Sequence, residues 1–286
     1  MRQIAVISGK GGSGKTTVVA SIASVAENIV LVDCDVDAPN LGILIEHEVR
    51  EKHEFYGMQK ANILQDRCIS CGLCEEACRF DAIRNNGIYS IDRTACEGCR
   101  FCTEVCSSEA IEMVDNLSGY WFLSHSAYGP FIHARLKAGE ENSGKLVSLI
   151  RNEAREVAEK ADTDNILIDA PAGIGCPVIA TLSGVDEAIV VFEPTLSGLH
   201  DGIRAIEIAE HFGAKLYCMI NRSDLNEKIS KEIKGLCRQK GIKILEEIPY
   251  DIRFVKALNE KRIATEMYKD IRHIFKQIWG RINESD

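Results

Sequence analysis

Ile4-Ala5-Val6-Ile7-Ser8-Gly9-Lys10-Gly11-Gly12-Ser13-Gly14-Lys15-Thr16-Thr17 lies at the start of a 286-residue chain and decides how the rest is read. Four consecutive apolar residues form a short buried strand, the glycines a loop, and Val18 to Ala26 the helix that follows. The order matters physically. Glycines let the backbone amides of Gly11, Gly12, Ser13, Gly14, Lys15, Thr16 and Thr17 converge on phosphate oxygens, and the helix start adds its partial positive charge. In such a loop Lys15 bridges β and γ oxygens and Thr16 offers its hydroxyl to Mg2+.

Farther along, Asn28 to Val32 reads as a second strand running into Asp33-Cys34-Asp35-Val36-Asp37-Ala38-Pro39-Asn40. Asn165-Ile166-Leu167-Ile168-Asp169 reads as a buried parallel strand closing on an acid, with Ala170-Pro171-Ala172-Gly173 behind it. Asp169 suits an Mg2+ ion held through water, and Gly173 leaves the following backbone free to track a γ-phosphate. Aspartates at strand ends are also ordinary turn formers. Lys145 to Lys160 has helical spacing, with Leu146, Leu149, Ile150, Ala154, Val157 and Ala161 on one face. Strands at Ala188 to Phe192, Lys215 to Ile220 and Ile244 to Ile248 continue the alternation. The expected fold class is α/β, a doubly wound and predominantly parallel sheet with ligands at the carboxyl ends of its strands.

Lys10, a second lysine inside Gly-Lys-Gly-Gly-Ser-Gly-Lys-Thr-Thr, makes this loop resemble the deviant Walker A motif of the MinD, ParA and Mrp ATPases. The resemblance implies a P-loop NTPase that binds ATP or ADP with Mg2+, hydrolyses slowly, and forms an ATP-linked homodimer or a heterodimer with a related ATPase. It further implies that Lys10 reaches the partner's phosphates, that Asp35 stands beside the attacking water while Asp33 is structural, that Asn221 reads the adenine, and that Pro249, in the Pro249-Tyr250-Asp251 stretch that again resembles the family, belongs to the nucleotide site. A loop cation near phosphate is favourable without any partner. Asn221-Arg222-Ser223-Asp224 is also one substitution from the guanine motif Asn-Lys-x-Asp, so GTP is the competing base reading.

Between these motifs the spacing Cys-x2-Cys-x2-Cys-x3-Cys occurs twice, as Cys68, Cys71, Cys74, Cys78 and as Cys96, Cys99, Cys102, Cys106, offset by 28 residues. Asp81-Ala82-Ile83 after the first run matches Glu109-Ala110-Ile111 after the second, so two copies of one unit are present. The pattern resembles two-cluster bacterial ferredoxins, in which the last cysteine of each run serves the other run's cluster. By that resemblance Cys68, Cys71, Cys74 and Cys106 hold one [4Fe-4S] cluster, and Cys96, Cys99, Cys102 and Cys78 the other. The usual proline after the fourth cysteine is replaced by Arg79 and Ser107. Zinc sites use pairs of cysteines rather than triplets, and disulfides need an oxidising compartment. The expected domains are a discontinuous ATPase, 1–60 and 116–286, and an inserted small α+β ferredoxin-like domain, 61–115.

Composition narrows the remaining classes. With 45% hydrophobic and 27% charged residues, no apolar run long enough to span a bilayer and no secretory pattern at the start, the chain is expected to be cytoplasmic. A formal charge of −9 excludes nucleic acid as the main partner, and 61–115 holds ten acidic and five basic side chains, suited to a basic redox partner. Gly119 to Phe131 is aromatic with strand-like alternation; His125 and His133 there are either partner contacts or hairpin residues. Ile271, Ile274, Phe275, Ile278, Trp279 and Ile282 share a helical face, suited to core packing and, less well, to a membrane surface. Cys218 and Cys237 fit the core, while Cys176 stands seven residues after Asp169, as does a cluster-bridging cysteine of the nitrogenase iron protein. The leading functional reading is an ATPase that couples nucleotide state to electron transfer with a partner. The alternatives are an Mrp-like carrier of iron-sulfur clusters and a MinD-like positioning protein with redox-sensing clusters.

Overall fold

The computed structural model describes residues 1–140 and 143–284. In chain order its elements are β1 (Arg2–Ile7), α1 (Lys15–Ala23), β2 (Ile29–Asp33), α2 (Leu41–Leu44), β3 (His47–Tyr56), β4 (Lys60–Ile63), α3 (Leu73–Ala77), β5 (Ile83–Asn85), β6 (Tyr89–Ile91), α4 (Phe101–Glu104), β7 (Ile111–Val114), β8 (Leu117–Ser126) and β9 (Gly129–Leu136). The second half contributes α5 (Ser143–Lys160), β10 (Asn165–Asp169), α6 (Cys176–Leu182), β11 (Glu187–Phe192), α7 (Leu196–His211), β12 (Lys215–Asn221), α8 (Glu227–Lys240), β13 (Lys243–Ile248), α9 (Ile252–Asn259), α10 (Ala264–Met267) and α11 (Lys269–Asn283). The chain divides into two compact units, the larger comprising Met1–His53, Trp121–Arg135 and Ser143–Asp286, the smaller Glu54–Tyr120 and Leu136–Asn142.

The larger unit is built on a sheet of strand order β13-β12-β11-β1-β10-β2-β9-β8-β3. The pairs from β13 through β9 are all parallel. Strands covered on both faces can be apolar throughout, which is why Ile4–Ile7, Ile29–Val32 and Ala188–Phe192 are unbroken runs of buried residues. The chain leaves β1, passes to β2, runs outward, and returns to insert β10 between them; β11, β12 and β13 then extend the other side. That reversal places Asp169 in register with Val6 on one side and Asp33 on the other, at the switch point where α/β sheets bind ligands.

Helix starts follow side-chain chemistry. Thr195 accepts from Gly198 N, Asn226 from Lys228 N and Ile229 N, and Asp251 from Arg253 N, capping α7, α8 and α9. Along α5 the buried stripe is Leu146, Val147, Ile150, Ala154 and Ala158, rotated from the expected face. The cause is Arg151, which turns inward and donates to the carbonyls of Ala180 and Ser183 and to Gln3 Oε1. Ile271, Phe275, Ile278 and Ile282 of α11 are buried in the main core, so the face that also suited a membrane surface is occupied by packing. No helix among the described residues is long and apolar enough to cross a membrane.

β3 has no counterpart in the sequence reading. His47-Glu48-Val49-Arg50-Glu51-Lys52-His53-Glu54 carries little apolar content, and most of it is exposed at the sheet edge, where charge discourages pairing with another chain. The aromatic segment forms β8 and β9. His133 stacks between Phe122 and Phe131, its Nε2 lies 3.0 Å from Ser124 Oγ, and burial lowers its pKa to about 4, so it is a neutral packing residue.

The smaller unit contains two antiparallel strand pairs, β4 with β7 and β5 with β6, and the short helices α3 and α4. Its core is slight: Ala61, Ile63, Ala82, Ile83, Tyr89, Cys96 and Ile111, with Cys68, Cys74, Cys78, Cys102 and Cys106 packed against it. The 28-residue repeat is written in the backbone as well. Left-handed φ recurs at Ser70 and Gly98, at Gly72 and Arg100, and at Asp81 and Glu109. Four of these six are not glycine, and at Asp81 and Glu109 the costly choice is made in both copies.

Candidate functional site

The loop after β1 is shaped by two close approaches. A Cβ on Gly9 would stand 2.0 Å from the Asp201 backbone, and one on Gly14, where φ is +97°, would meet Asn221 Nδ2 at 2.3 Å. Asn221 in turn donates to Ser13 O at 2.8 Å, clamping the loop from the end of β12. Lys15 opens α1 with its side chain buried, and burial lowers its pKa against the opposing pull of Asp169, Asp35 and Asp33. Three acids and one lysine therefore gather beneath the loop.

Each acid has a distinct setting. Asp33 is wholly buried and accepts from Asp35 N at 3.0 Å and from Leu41 N at 3.1 Å, so it holds the loop that carries Asp35. Asp35 is half-buried, and its carboxylate accepts from Ala38 N at 3.3 Å. Burial raises its pKa, with Lys15 opposing. Asp169 is 1% exposed; burial pushes its pKa up to about 7, against a hydrogen bond from Thr16 and the charge of Lys15. Its Oδ1 and the Ser13 hydroxyl are buried and find no hydrogen-bond partner among the described residues. Orphaned polar atoms beside a lysine are what a phosphate with its Mg2+ would satisfy.

Lys10 faces its own chain. Its ammonium pairs with Glu193 at 2.8 Å and donates to Thr195 Oγ1 at 2.9 Å and Ser197 Oγ at 3.3 Å. Glu193 also pairs with Arg222, whose guanidinium reaches Gly12 O at 3.4 Å. Burial would raise the Glu193 pKa, but the two cations outweigh it and hold the carboxyl below its ordinary range. Glu193 was missed in the sequence because nothing local marks a strand-end glutamate as the seat of a lysine far upstream.

Beside the loop a cavity is lined by Gly14, Thr17, Asn221, Pro249, Tyr250 and Phe254, among others. Asp224, the residue that suggested guanine, accepts from Tyr250 N at 2.6 Å. One of its two carboxylate oxygens is thus engaged by the backbone of the turn that follows β13.

In the smaller unit Cys68, Cys71, Cys74 and Cys106 line a single cavity. The thiol of Cys74 is raised by burial, and Cys106 and Cys68 push the same way. Burial pushes Cys102 up to about 11, with Cys96, Cys99 and Cys78 adding to it. The fourth cysteine of each run therefore stands with the first three of the other. Cys106 is the exception in direction: burial is outweighed by the Ser108 hydroxyl at 3.6 Å and the Ala110 amide at 3.3 Å, and the pKa falls. Among the described residues no group of three or more His, Cys, Asp or Glu converges on a point where one metal ion would sit.

The other cysteines separate. Cys34 is buried, with its pKa raised by that burial, and Cys218 and Cys237 are buried as a hydrogen-bonded thiol pair. Cys176 is exposed at the first residue of α6.

Residues 4–264 match the family model described as the CobQ/CobB/MinD/ParA nucleotide binding domain. The chain is 34% identical to the uncharacterized protein MJ0578 of Methanocaldococcus jannaschii over 99% of its own length and 96% of that protein's. It is 27% identical to the uncharacterized ATP-binding protein MJ0169 of the same organism, over 93% and 81%. Among solved structures, the septum site-determining protein MinD of Pyrococcus horikoshii, complexed with Mg-ADP, superposes with a TM-score of 0.59 over 99% of this chain and 96% of that one, at 17% identity.

Proposed function

The chain belongs to the MinD/ParA family of P-loop ATPases, and from that premise we propose that it is a dimerising ATPase that holds two [4Fe-4S] clusters and couples its nucleotide state to electron exchange with a partner protein. The observation that carries the metal half is the presence of Cys106 in one cavity with Cys68, Cys71 and Cys74. In a cube each thiolate binds a different iron, so four sulfurs surround a volume rather than a point. A unit with so slight a core also fits a fold completed by a bound group.

In this reading the amides of residues 11–17 and the Lys15 ammonium hold the phosphates, and Thr16 and Asp169 hold Mg2+. Asp35 orients the water that attacks the γ-phosphorus. Asn221 and Pro249 border the base, and the tie between Asp224 and Tyr250 favours adenine over guanine. Lys10 must leave Glu193 to reach a partner's phosphate, so dimerisation exchanges one anion for another around the same ammonium. When bound, the clusters would supply one-electron chemistry. Cys96 is buried, Cys68, Cys74, Cys78, Cys102 and Cys106 are half-buried, and Cys71 and Cys99, one in each set, are exposed; with three of the four sulfurs of each set at least partly covered, retention of the clusters is favoured over the carrier alternative.

Iron and acid-labile sulfide counts on anaerobically purified protein test the metal half: about eight of each per chain are expected. Iron near four leaves one cluster, and none sinks the reading. Redox titrations without nucleotide, with ADP and with a non-hydrolysable ATP analogue test the coupling. Superimposable curves would leave an ATPase whose clusters are passengers.

A further inference from the structure

Lys60, on β4, is 6% exposed, and its ammonium donates to the carbonyl oxygen of Cys96 at 2.6 Å. No ion pair to it is formed among the described residues. A cation taken out of water needs an anion nearby, and a backbone carbonyl is only a dipole. The carbonyl belongs to the first cysteine of the second run. Resting on the cluster reading above, we propose that Lys60 is the countercharge of the anionic group held by Cys96, Cys99, Cys102 and Cys78, and that it makes this site the more readily reduced of the two.

The repeat exposes the asymmetry. The position 28 residues after Lys60 is Ile88, which is apolar and 62% exposed. Arg67 before Cys68 neighbours one site, and Arg79 after Cys78 and Arg100 after Cys99 neighbour the other, but all three are exposed and screened by solvent. They do not distinguish the sites; a buried ammonium does. Reduction adds one electron and no proton to a four-thiolate cluster, so its charge becomes one unit more negative. A fixed cation in a medium of low dielectric favours the more negative form. Lys60 therefore acts as a positioning and tuning residue, not as a ligand.

The test is an EPR-monitored titration with dithionite, which gives the electron and is oxidised to sulfite, on the full chain as wild type, Lys60→Met and Lys60→Arg. Iron is counted first. A wild type without iron overturns the cluster reading before any variant is examined. With iron present, two distinct midpoint potentials are expected. Lys60→Met should lower the higher one and leave the lower in place, while Lys60→Arg should keep both near the wild-type values. If Lys60→Met retains only one cluster, the surviving potential should be the wild type's lower one. Coincident potentials in the wild type, a Lys60→Met protein with both clusters and unchanged potentials, equal shifts in both, or a shift confined to the lower one would each overturn the proposal. A merely structural role for Lys60 would change stability without selecting one potential.

Discussion

Lys10 and Lys15 lie five positions apart and stand in opposite surroundings, one exposed enough to swing and tied to Glu193, the other buried at the start of α1. Lys15→Ala should abolish ATP binding, because the loop loses its phosphate cation. Lys10→Ala should spare much of the binding while preventing ATP-dependent dimerisation, read by nucleotide titration and by light scattering. Equal loss of monomer binding in both variants would contradict a role across subunits. Asp169 makes a pH prediction. Its folded pKa of about 7 lies above the ordinary 3.8, so the stability tied to its protonated form is full below about 3.8, is lost progressively as pH rises from there through 7, and stays lost above. Urea unfolding of nucleotide-free protein at pH 5 and pH 8 should show the wild type losing stability relative to Asp169→Asn. A difference independent of pH would mean the carboxylate is already satisfied. The identities of Lys15, Thr16 and Asp169 were legible in the chain because each follows a strand or glycine signal; the seat of Lys10 on Glu193 was not.

At the scale of elements, α11 offers the clearest choice between two physical outcomes. Its apolar face could have met a membrane surface or the core, and Ile271, Phe275, Ile278 and Ile282 are in the core. Phe275→Ala should therefore cost about 3–5 kcal/mol in denaturant unfolding. Sedimentation with anionic vesicles should leave the protein in the supernatant both with and without ATP. ATP-dependent pelleting would mean that the helix leaves its place. β1, β2 and β10 to β13 could be read from their sequences because buried parallel strands are continuously apolar. β3 could not, since a charged edge strand has the composition of a loop. Along α5, Leu146, Ile150 and Ala154 lie on the expected face, while Val147 and Ala158 are buried in place of Leu149, Val157 and Ala161, because an inward arginine breaks the rule that charge faces water.

For the whole molecule the decisive measurement is reciprocity. If ATP shifts a cluster potential, reduction of that cluster must shift ATP affinity by the same free energy. A shift of about 30 mV for one electron corresponds to roughly 0.7 kcal/mol, about a threefold change in affinity. Affinity for an ATP analogue, measured on oxidised and on dithionite-reduced protein, should differ by that factor; equal affinities beside shifted potentials would be inconsistent. The phosphate loop, the order of its acids and the two cysteine runs are written in the chain, because each is a local pattern whose spacing carries its chemistry. It took the three-dimensional fold to bring β10 between β1 and β2, which sets Asp169 between Val6 and Asp33 although the chain separates them by more than a hundred residues. The fold likewise decided that Lys10 rests on Glu193 and that Lys60 is buried against Cys96. Those are long-range pairings of single charged side chains, and no periodicity or spacing records them, because the partner is chosen by how the strands are ordered in space.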